Sequence, residues 1–120
     1  MTTLGSRFAA AIAGRDRAGM LTLLGEDLDF KALTPGRLWE ADSSAGVDGV
    51  VFDHWFEETD RVTGVAHVDE GEVGDTQRVG YRFDLQCADG PYVVEQQAYY
   101  RALDERIVHL RIVCSGFRAR

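Results

Sequence analysis

Three consecutive polar residues, Glu95, Gln96 and Gln97, interrupt the strand-like segment VVEQQAYY. Neighbouring side chains of a strand point to opposite faces, so at least one of the three faces whatever the sheet covers. An inward Glu95 would be a buried carboxylic acid, the kind of group that performs acid–base catalysis. An inward Gln96 would instead offer a neutral amide, whose two ends must be satisfied by a ligand, a Tyr hydroxyl or a backbone group.

A histidine on a predicted helix, His54, is of a type that acts as a general base near neutral pH. The alternative is a partly exposed helix histidine without a chemical role. The catalytic candidates are therefore His54 and Glu95. The ligand-binding candidates are Gln96 and residues that could share a cavity with it, namely Tyr81, Tyr100, Trp55, Phe8 and Cys114. For the aromatic members, packing in the core is the alternative interpretation.

The cysteines and histidines do not form a metal-binding pattern. Cys87 and Cys114 lie in apolar, strand-like runs without a CxxC spacing, which favours two reduced, buried thiols over a disulfide. His67 and His109 fall on separate predicted strands, and no pair of His, Cys or carboxylate residues has the spacing of metal ligands. We therefore expect neither a metal nor a cofactor.

Length and charge limit the classes of partner. The 120 residues, 45% of them hydrophobic, fit one domain, 1–120, that can bury roughly two-thirds of its unfolded surface. With 13 basic and 20 acidic residues the net charge is -7, which argues against a nucleic-acid or membrane surface. The first residues, MTTLGSRFAAAIAG, are too short and interrupted for a secretion signal or a membrane span. We expect a cytoplasmic protein that binds a small apolar molecule.

Hydrophobic periodicity predicts the elements that must position these residues. The predicted helices cover 7–13, capped by Ser6, 17–24, capped by Asp16, and 44–58. Alternating patterns predict strands over 27–33 and 37–41, and then a four-stranded antiparallel meander over 61–69, 77–88, 92–103 and 106–117. The order indicates an α+β architecture in which a curved sheet wraps over the helices.

The turn between the second and third meander strands decides which polar residue faces the helices. A two-residue turn at Asp89-Gly90 pairs Phe83 with Gln96 and places Gln96 inward and Glu95 outward. A three-residue loop would turn Glu95 inward, because a slip of one residue exchanges the two faces.

The last predicted strand carries an apolar row of Leu110, Ile112 and Cys114. Aligning that row with Gln96 requires a bulge or a longer loop near Asp104-Glu105.

Two longer segments carry a family resemblance. AIAGRDRAGMLTLLGEDLDF and the closing YYRALDERIVHLRIVCSGF resemble the nuclear transport factor 2-like superfamily, also called the SnoaL-like fold. The resemblance implies a cone-shaped α+β fold, with three N-terminal helices against a curved, mainly antiparallel sheet that encloses a conical pocket. This fold hosts isomerases, cyclases, epoxide hydrolases, dioxygenase subunits and non-catalytic binders, so it implies no single activity.

The catalytic groups known in this superfamily are missing from the matching positions. The positions of the steroid isomerase tyrosine, base and second acid fall on Phe8, Ala32 and Ala98, none of which can exchange a proton. Polyketide cyclases and epoxide hydrolases typically carry an acid on a late strand, and IVHLRIVCSGF contains none. The resemblance therefore implies a largely apolar small-molecule pocket, with an isomerase, cyclase or hydrolase using His54 or Glu95 as the alternative.

Proteins of this superfamily commonly dimerise through the outer face of the sheet. The resemblance thus implies a homodimer through a ladder of outward residues: Arg82, Gln97, Tyr99, His109 and Arg111. A dimeric, non-catalytic protein-interaction domain is the second alternative.

Overall fold

The computed structural model describes residues 3–120. The helices are α1 (Leu4–Ala13), α2 (Arg17–Leu23) and α3 (Ser44–Asp48), which continues as a π-helical segment over Gly49–Trp55. The strands are β1 (Leu24–Thr34), β2 (Arg37–Ser43), β3 (Arg61–Val73), β4 (Thr76–Cys87), β5 (Gly90–Leu103), β6 (Arg106–Cys114) and β7 (Arg118–Ala119). Within the described residues, no helix has the length and apolar character needed to cross a bilayer.

All seven strands belong to one sheet. Its order is β2-β1-β6-β5-β4-β3, with β7 paired to the beginning of β5. The strands from β3 to β6 form the predicted antiparallel meander, while β1 joins β6 in parallel. The helices cover one face of this sheet, where α1 packs against β3 and β4. The predicted α+β class with three N-terminal helices is therefore confirmed.

The first helix begins earlier than predicted, because its cap is Thr3 and not Ser6. The Thr3 hydroxyl accepts a hydrogen bond from the Ser6 backbone N–H at 3.1 Å, and the Ser6 hydroxyl accepts one from the Thr3 N–H at 3.2 Å. This reciprocal capping box satisfies two N–H groups that the first turn leaves unpaired. The predicted cap of α2 is confirmed, since Asp16 accepts a bond from the Gly19 N–H at 2.8 Å.

The third helix is shorter than predicted and changes its winding before it ends. Its final backbone bond runs from the Phe56 N–H to the Val51 oxygen at 2.8 Å, the five-residue spacing of a π-helix. The predicted extension to residue 58 is wrong, because the chain leaves the helical conformation at Phe56. The wide turns bury Phe52 and Trp55 and leave His54 exposed. Such π-helical turns are frequent at functional sites.

The predicted pairing of β4 with β5 is wrong by two residues, although the predicted faces are right. The turn consists of Ala88 and Asp89, so Tyr81 pairs with Gln96 where Phe83 was predicted. A slip of two residues preserves the alternation of a strand, whereas a slip of one reverses it. Gln96 consequently faces the helices and is 1% exposed, as predicted from the two-residue turn.

The outward charges also pair differently from the prediction. The predicted register placed Asp84 opposite Glu95, two like charges. In the structure Arg82 lies opposite Glu95, and Asp84 lies opposite Val93. Opposite charges on neighbouring strands attract, so the observed register avoids a repulsion across the outer face.

The predicted irregularity between the last two long strands is confirmed. The pairing of β5 with β6 shifts between Arg101 and Ala102, which aligns Gln96 with Cys114 on the inner face. The connecting turn contains Asp104 and Glu105, with φ angles of 53° and 62°. Both residues therefore occupy the left-handed region that hairpin turns of this length require.

Replacing Glu105 by Gly should raise the free energy of unfolding by about 0.5–1 kcal/mol, because only Gly adopts a positive φ without steric cost. Urea-induced unfolding would measure the change. As a control, Ala102→Gly in the adjoining strand should lower the stability by a similar amount, because glycine is unfavourable in an extended strand. Destabilisation by both substitutions would contradict the turn geometry.

Candidate functional site

A cleft of about 360 Å³ lies where the ends of β1 and β6 meet the end of the π-helical segment. We call it the end cleft; its lining residues are Thr34, His54, Trp55, Glu57, Asp60, Cys114, Gly116 and Phe117. Small-molecule sites commonly occupy roughly 300–1,000 Å³, so the end cleft is large enough for a small ligand. The parallel pairing of β1 and β6 places Thr34 and Cys114 at the same end of the sheet.

Aromatic rings form one wall of the end cleft. Trp55 is 8% exposed and packs edge-on against Trp39, with 6.1 Å between the ring centroids. His54 lies 5.2 Å from the Trp39 ring, and Phe117 lies 5.5 Å from the Phe56 ring. The Trp55 indole N–H is buried and has no hydrogen-bond partner within residues 3–120. A buried donor of this kind is uncommon.

Two carboxylates, those of Glu57 and Asp60, also line the end cleft, and we call them the acidic wall. Asp60 is 9% exposed, and one of its carboxylate oxygens accepts a hydrogen bond from the Glu57 backbone N–H at 3.1 Å. The Arg15 guanidinium stabilises the same turn by donating to the backbone oxygens of Glu57 at 2.8 Å and Asp60 at 3.3 Å. Burial, together with the nearby Asp60 carboxylate, raises the pKa of the Cys87 thiol to about 12. Cys87 is thus a neutral thiol at physiological pH.

A hydrogen-bonded chain connects the floor of the end cleft to the core. The Tyr81 hydroxyl donates to the Gln96 side-chain oxygen at 2.6 Å, and the Gln96 amide nitrogen donates to the Cys114 sulfur at 3.3 Å. The Gly116 backbone N–H also donates to that sulfur at 3.3 Å. Burial raises the pKa of the Tyr81 phenol above its ordinary value, so Tyr81 stays protonated and remains a donor.

The expected conical pocket around Gln96 is filled by side chains. Gln96, Tyr81 and Phe8 are each 1% exposed, so their neighbours enclose these side chains almost completely. The Tyr100 hydroxyl is also engaged in the core, where its oxygen accepts a hydrogen bond from the Gly5 backbone N–H at 2.9 Å. Open space is found instead at the end of the cone, in the end cleft.

The remaining candidates separate into two groups. His54, Trp55 and Cys114 come together in the end cleft, and Gln96 reaches it only through Cys114. Glu95 lies on the outer face of β5, exposed, and its backbone N–H donates to the Ser115 hydroxyl at 2.9 Å. The structure therefore does not bring His54 and Glu95 to one site.

Several cleft residues had no sequence signal of their own. Asp60 falls between a predicted helix and a predicted strand, and Thr34 and Phe117 fall at or beyond predicted strand ends. Their shared property is a position at one end of the sheet, which emerges only when β1 pairs with β6. No three His, Cys, Asp or Glu side chains in the described part of the chain converge as metal ligands would.

No protein-family model matches the sequence, and no curated protein matches it significantly. Solved structures do match. A provisionally named isomerase from Bacillus subtilis is 16% identical, with a TM-score of 0.73 over 88% of this chain and 79% of its own. A provisionally named SnoaL-like polyketide cyclase from Mesorhizobium loti is 17% identical, with a TM-score of 0.65 over 91% and 94%.

A third structure is that of a protein with a ketosteroid isomerase-like fold from Catenulispora acidiphila, solved in complex with trimethylamine. It is 18% identical, with a TM-score of 0.67 over 95% of this chain and 88% of its own. At these identities, the likeness concerns the course of the backbone and not the chemistry of the site.

Proposed function

We propose that this chain, which has the nuclear transport factor 2-like (SnoaL-like) fold, binds a small, largely apolar molecule in the end cleft. The observation that carries the proposal is the cleft itself, which has a volume of about 360 Å³ and is lined by both aromatic and polar side chains. That combination is usual for small-molecule sites, in which apolar walls supply affinity and polar groups fix orientation.

The solved structures support a ligand of modest size. Trimethylamine in the Catenulispora acidiphila structure is a small molecule bound to a protein of the same fold. The end cleft would accept a compound of that size or a few times larger. The filled interior around Gln96 argues for a ligand held at the end of the cone.

Fragment screening by two-dimensional NMR tests this function. Binding should shift backbone amide signals in two stretches that meet at the end cleft, residues 54–60 and 114–117. Replacing Phe117 by Ala removes part of the aromatic wall. For any fragment that shifts these signals, the substitution should weaken binding about tenfold, the equivalent of roughly 1.4 kcal/mol. Fragments that shift signals elsewhere, or nowhere, would contradict the proposal.

Tyr92→Ala is the matched control for Phe117→Ala. Tyr92 packs against Phe117 with 6.5 Å between ring centroids, is half-buried and does not line the end cleft. Both substitutions therefore remove aromatic packing from the same cluster. Only the Phe117 substitution should weaken fragment binding beyond what a loss of folded protein explains.

Catalysis in the same cleft is the second candidate function. His54, Glu57 and Asp60 all line the end cleft, and histidine and carboxylate groups are the usual general acids and bases. Glu95 lies on the other face of the sheet, so an isomerase, cyclase or hydrolase reaction here would depend on His54 with these two acids. Turnover that survives both His54→Ala and Asp60→Asn would argue against this assignment.

A second copy of the chain is the proposed partner on the outer face of the sheet. Leu38, Leu33 and Val113 lie side by side on β2, β1 and β6 and are 54%, 53% and 51% exposed. Contiguous exposed apolar groups commonly mark interaction sites. Two copies of the chain related by a two-fold axis would bury this row of each copy against the same row of the other. The polar ladder flanks it, with Arg111 paired to Asp29 at 3.1 Å.

Light scattering coupled to size-exclusion chromatography tests the homodimer. Leu33→Arg places two like charges at the centre of a two-fold interface and should convert the dimer to a monomer. Leu103 is similarly exposed, at 65%, but lies at the end of β5, so Leu103→Arg should leave the dimer intact. A monomeric unsubstituted protein at micromolar concentration would exclude this interface.

A further inference from the structure

In the described part of the chain, the two carboxylates of the acidic wall are not neutralised by an ion pair. Neither Asp60 nor Glu57 forms an ion pair with a Lys, Arg or His side chain within residues 3–120. The nearby Arg15 guanidinium is directed at backbone oxygens of the turn. Asp60 is more than nine-tenths buried, and the hydrogen bond that its carboxylate accepts comes from a neutral group, the Glu57 backbone N–H. A buried carboxylate gains most from a partner of opposite charge.

The aromatic residues Trp55 and Phe117 line the same cleft as these carboxylates. The electron-rich face of an aromatic ring attracts cations. The neighbouring Trp39 shows this attraction within the chain, because the Arg37 guanidinium lies 3.5 Å above its ring centroid. Within the described residues, cationic side chains lie over the rings of Phe52 and Trp39, and none lies over Trp55 or Phe117.

We infer that the ligand of the end cleft is a small organic cation, an alkylammonium compound. Its positive charge is matched by Asp60 and Glu57, and its alkyl groups pack against Trp55 and Phe117. This inference rests on the proposed binding function, since it names the ligand class of that cleft.

The cleft geometry disfavours inorganic cations and organic anions. A divalent metal requires several converging ligands, and no such cluster of His, Cys, Asp or Glu is present within residues 3–120. An organic anion would meet two carboxylates across a cavity of about 360 Å³. An alkylammonium ion has both the charge for the acidic wall and the apolar surface for the aromatic wall.

Isothermal titration calorimetry with choline chloride and with 3,3-dimethylbutan-1-ol separates charge from shape. The two probes have almost the same shape, and only choline is positively charged. At low ionic strength choline should bind at least tenfold more tightly than the alcohol. Equal affinities would overturn the cationic ligand class while leaving binding in the end cleft intact, and no binding of either probe at millimolar concentration would contradict both.

The substitutions Asp60→Asn and Glu57→Gln test whether these two carboxylates are the charges that bind choline. Each substitution keeps an oxygen acceptor and should weaken choline binding about tenfold while leaving the affinity for the alcohol unchanged. Glu58→Gln is the matched control, because Glu58 is exposed in the same turn and does not line the end cleft. Thermal unfolding verifies that each variant is folded, and a loss of choline affinity equal to that of Glu58→Gln would overturn the inference.

Discussion

Replacing Gln96 by Leu is expected to lower the free energy of unfolding by about 1–3 kcal/mol, the cost of a buried polar group without a partner. The side chain of Gln96 is the acceptor for the Tyr81 hydroxyl at 2.6 Å, and Tyr81 is 1% exposed. In the variant, the Tyr81 hydroxyl stays buried and loses that bond. Chemical denaturation with guanidinium would measure the difference.

The double substitution Tyr81→Phe with Gln96→Leu should be more stable than Gln96→Leu alone. It removes both partners and leaves no hydroxyl unsatisfied at this position, which is often nearly neutral for stability. Gln86→Leu, at an exposed position of β4, serves as the control and should change the stability by less than about 0.5 kcal/mol. A double variant as unstable as the sum of the single changes would show that the two side chains do not act as a pair.

Gly5→Ala should destabilise the protein by about 1–3 kcal/mol, although alanine favours a helix. A Cβ on Gly5 would lie 2.8 Å from the Tyr100 hydroxyl oxygen and 2.9 Å from the Val79 Cβ. The first turn of α1 must then move away from β4 and β5, and the Gly5 to Tyr100 hydrogen bond lengthens. Thermal unfolding followed by circular dichroism would report the loss as a lower midpoint.

Gly14→Ala is the control at the other end of the same helix. Gly14 is exposed, its φ is -87°, and its nearest neighbour for a new Cβ is a backbone oxygen at 3.4 Å. The substitution should change the stability by no more than about 0.5 kcal/mol. Equal effects at Gly5 and Gly14 would mean that α1 is not held closely against the sheet.

Local patterns were sufficient for the fold class and for the faces of the strands. The alternation of Val79, Tyr81 and Phe83 with polar neighbours identifies the inner face of β4, because a strand side chain has only two directions. The pairing partner of Tyr81 was not predictable in the same way. Moving a two-residue turn by one position changes the pairing by two residues and leaves the same faces buried, so periodicity alone does not choose between the two turns.

The candidate site was predicted less well than the fold for a physical reason. His54, Trp55 and Cys114 are chemically distinctive residue types within periodic segments, so they could be selected as candidates from the sequence. Asp60 is one of many acidic residues, and its burial results from a turn held by Arg15, 45 positions earlier. Long-range contacts of this kind leave no periodic pattern in the sequence.

The parallel pairing of β1 with β6 also governs the order of folding. Arg111 donates to the backbone oxygen of Asp29, 82 positions earlier, so this part of the sheet closes a very long loop. The meander of β3 to β6 can assemble through short hairpins. The edge of β1 that pairs with β6, in contrast, stays uncovered until β6 has formed. During synthesis on the ribosome, the first hairpin would therefore remain an unpaired, chaperone-accessible edge until the last long strand has emerged.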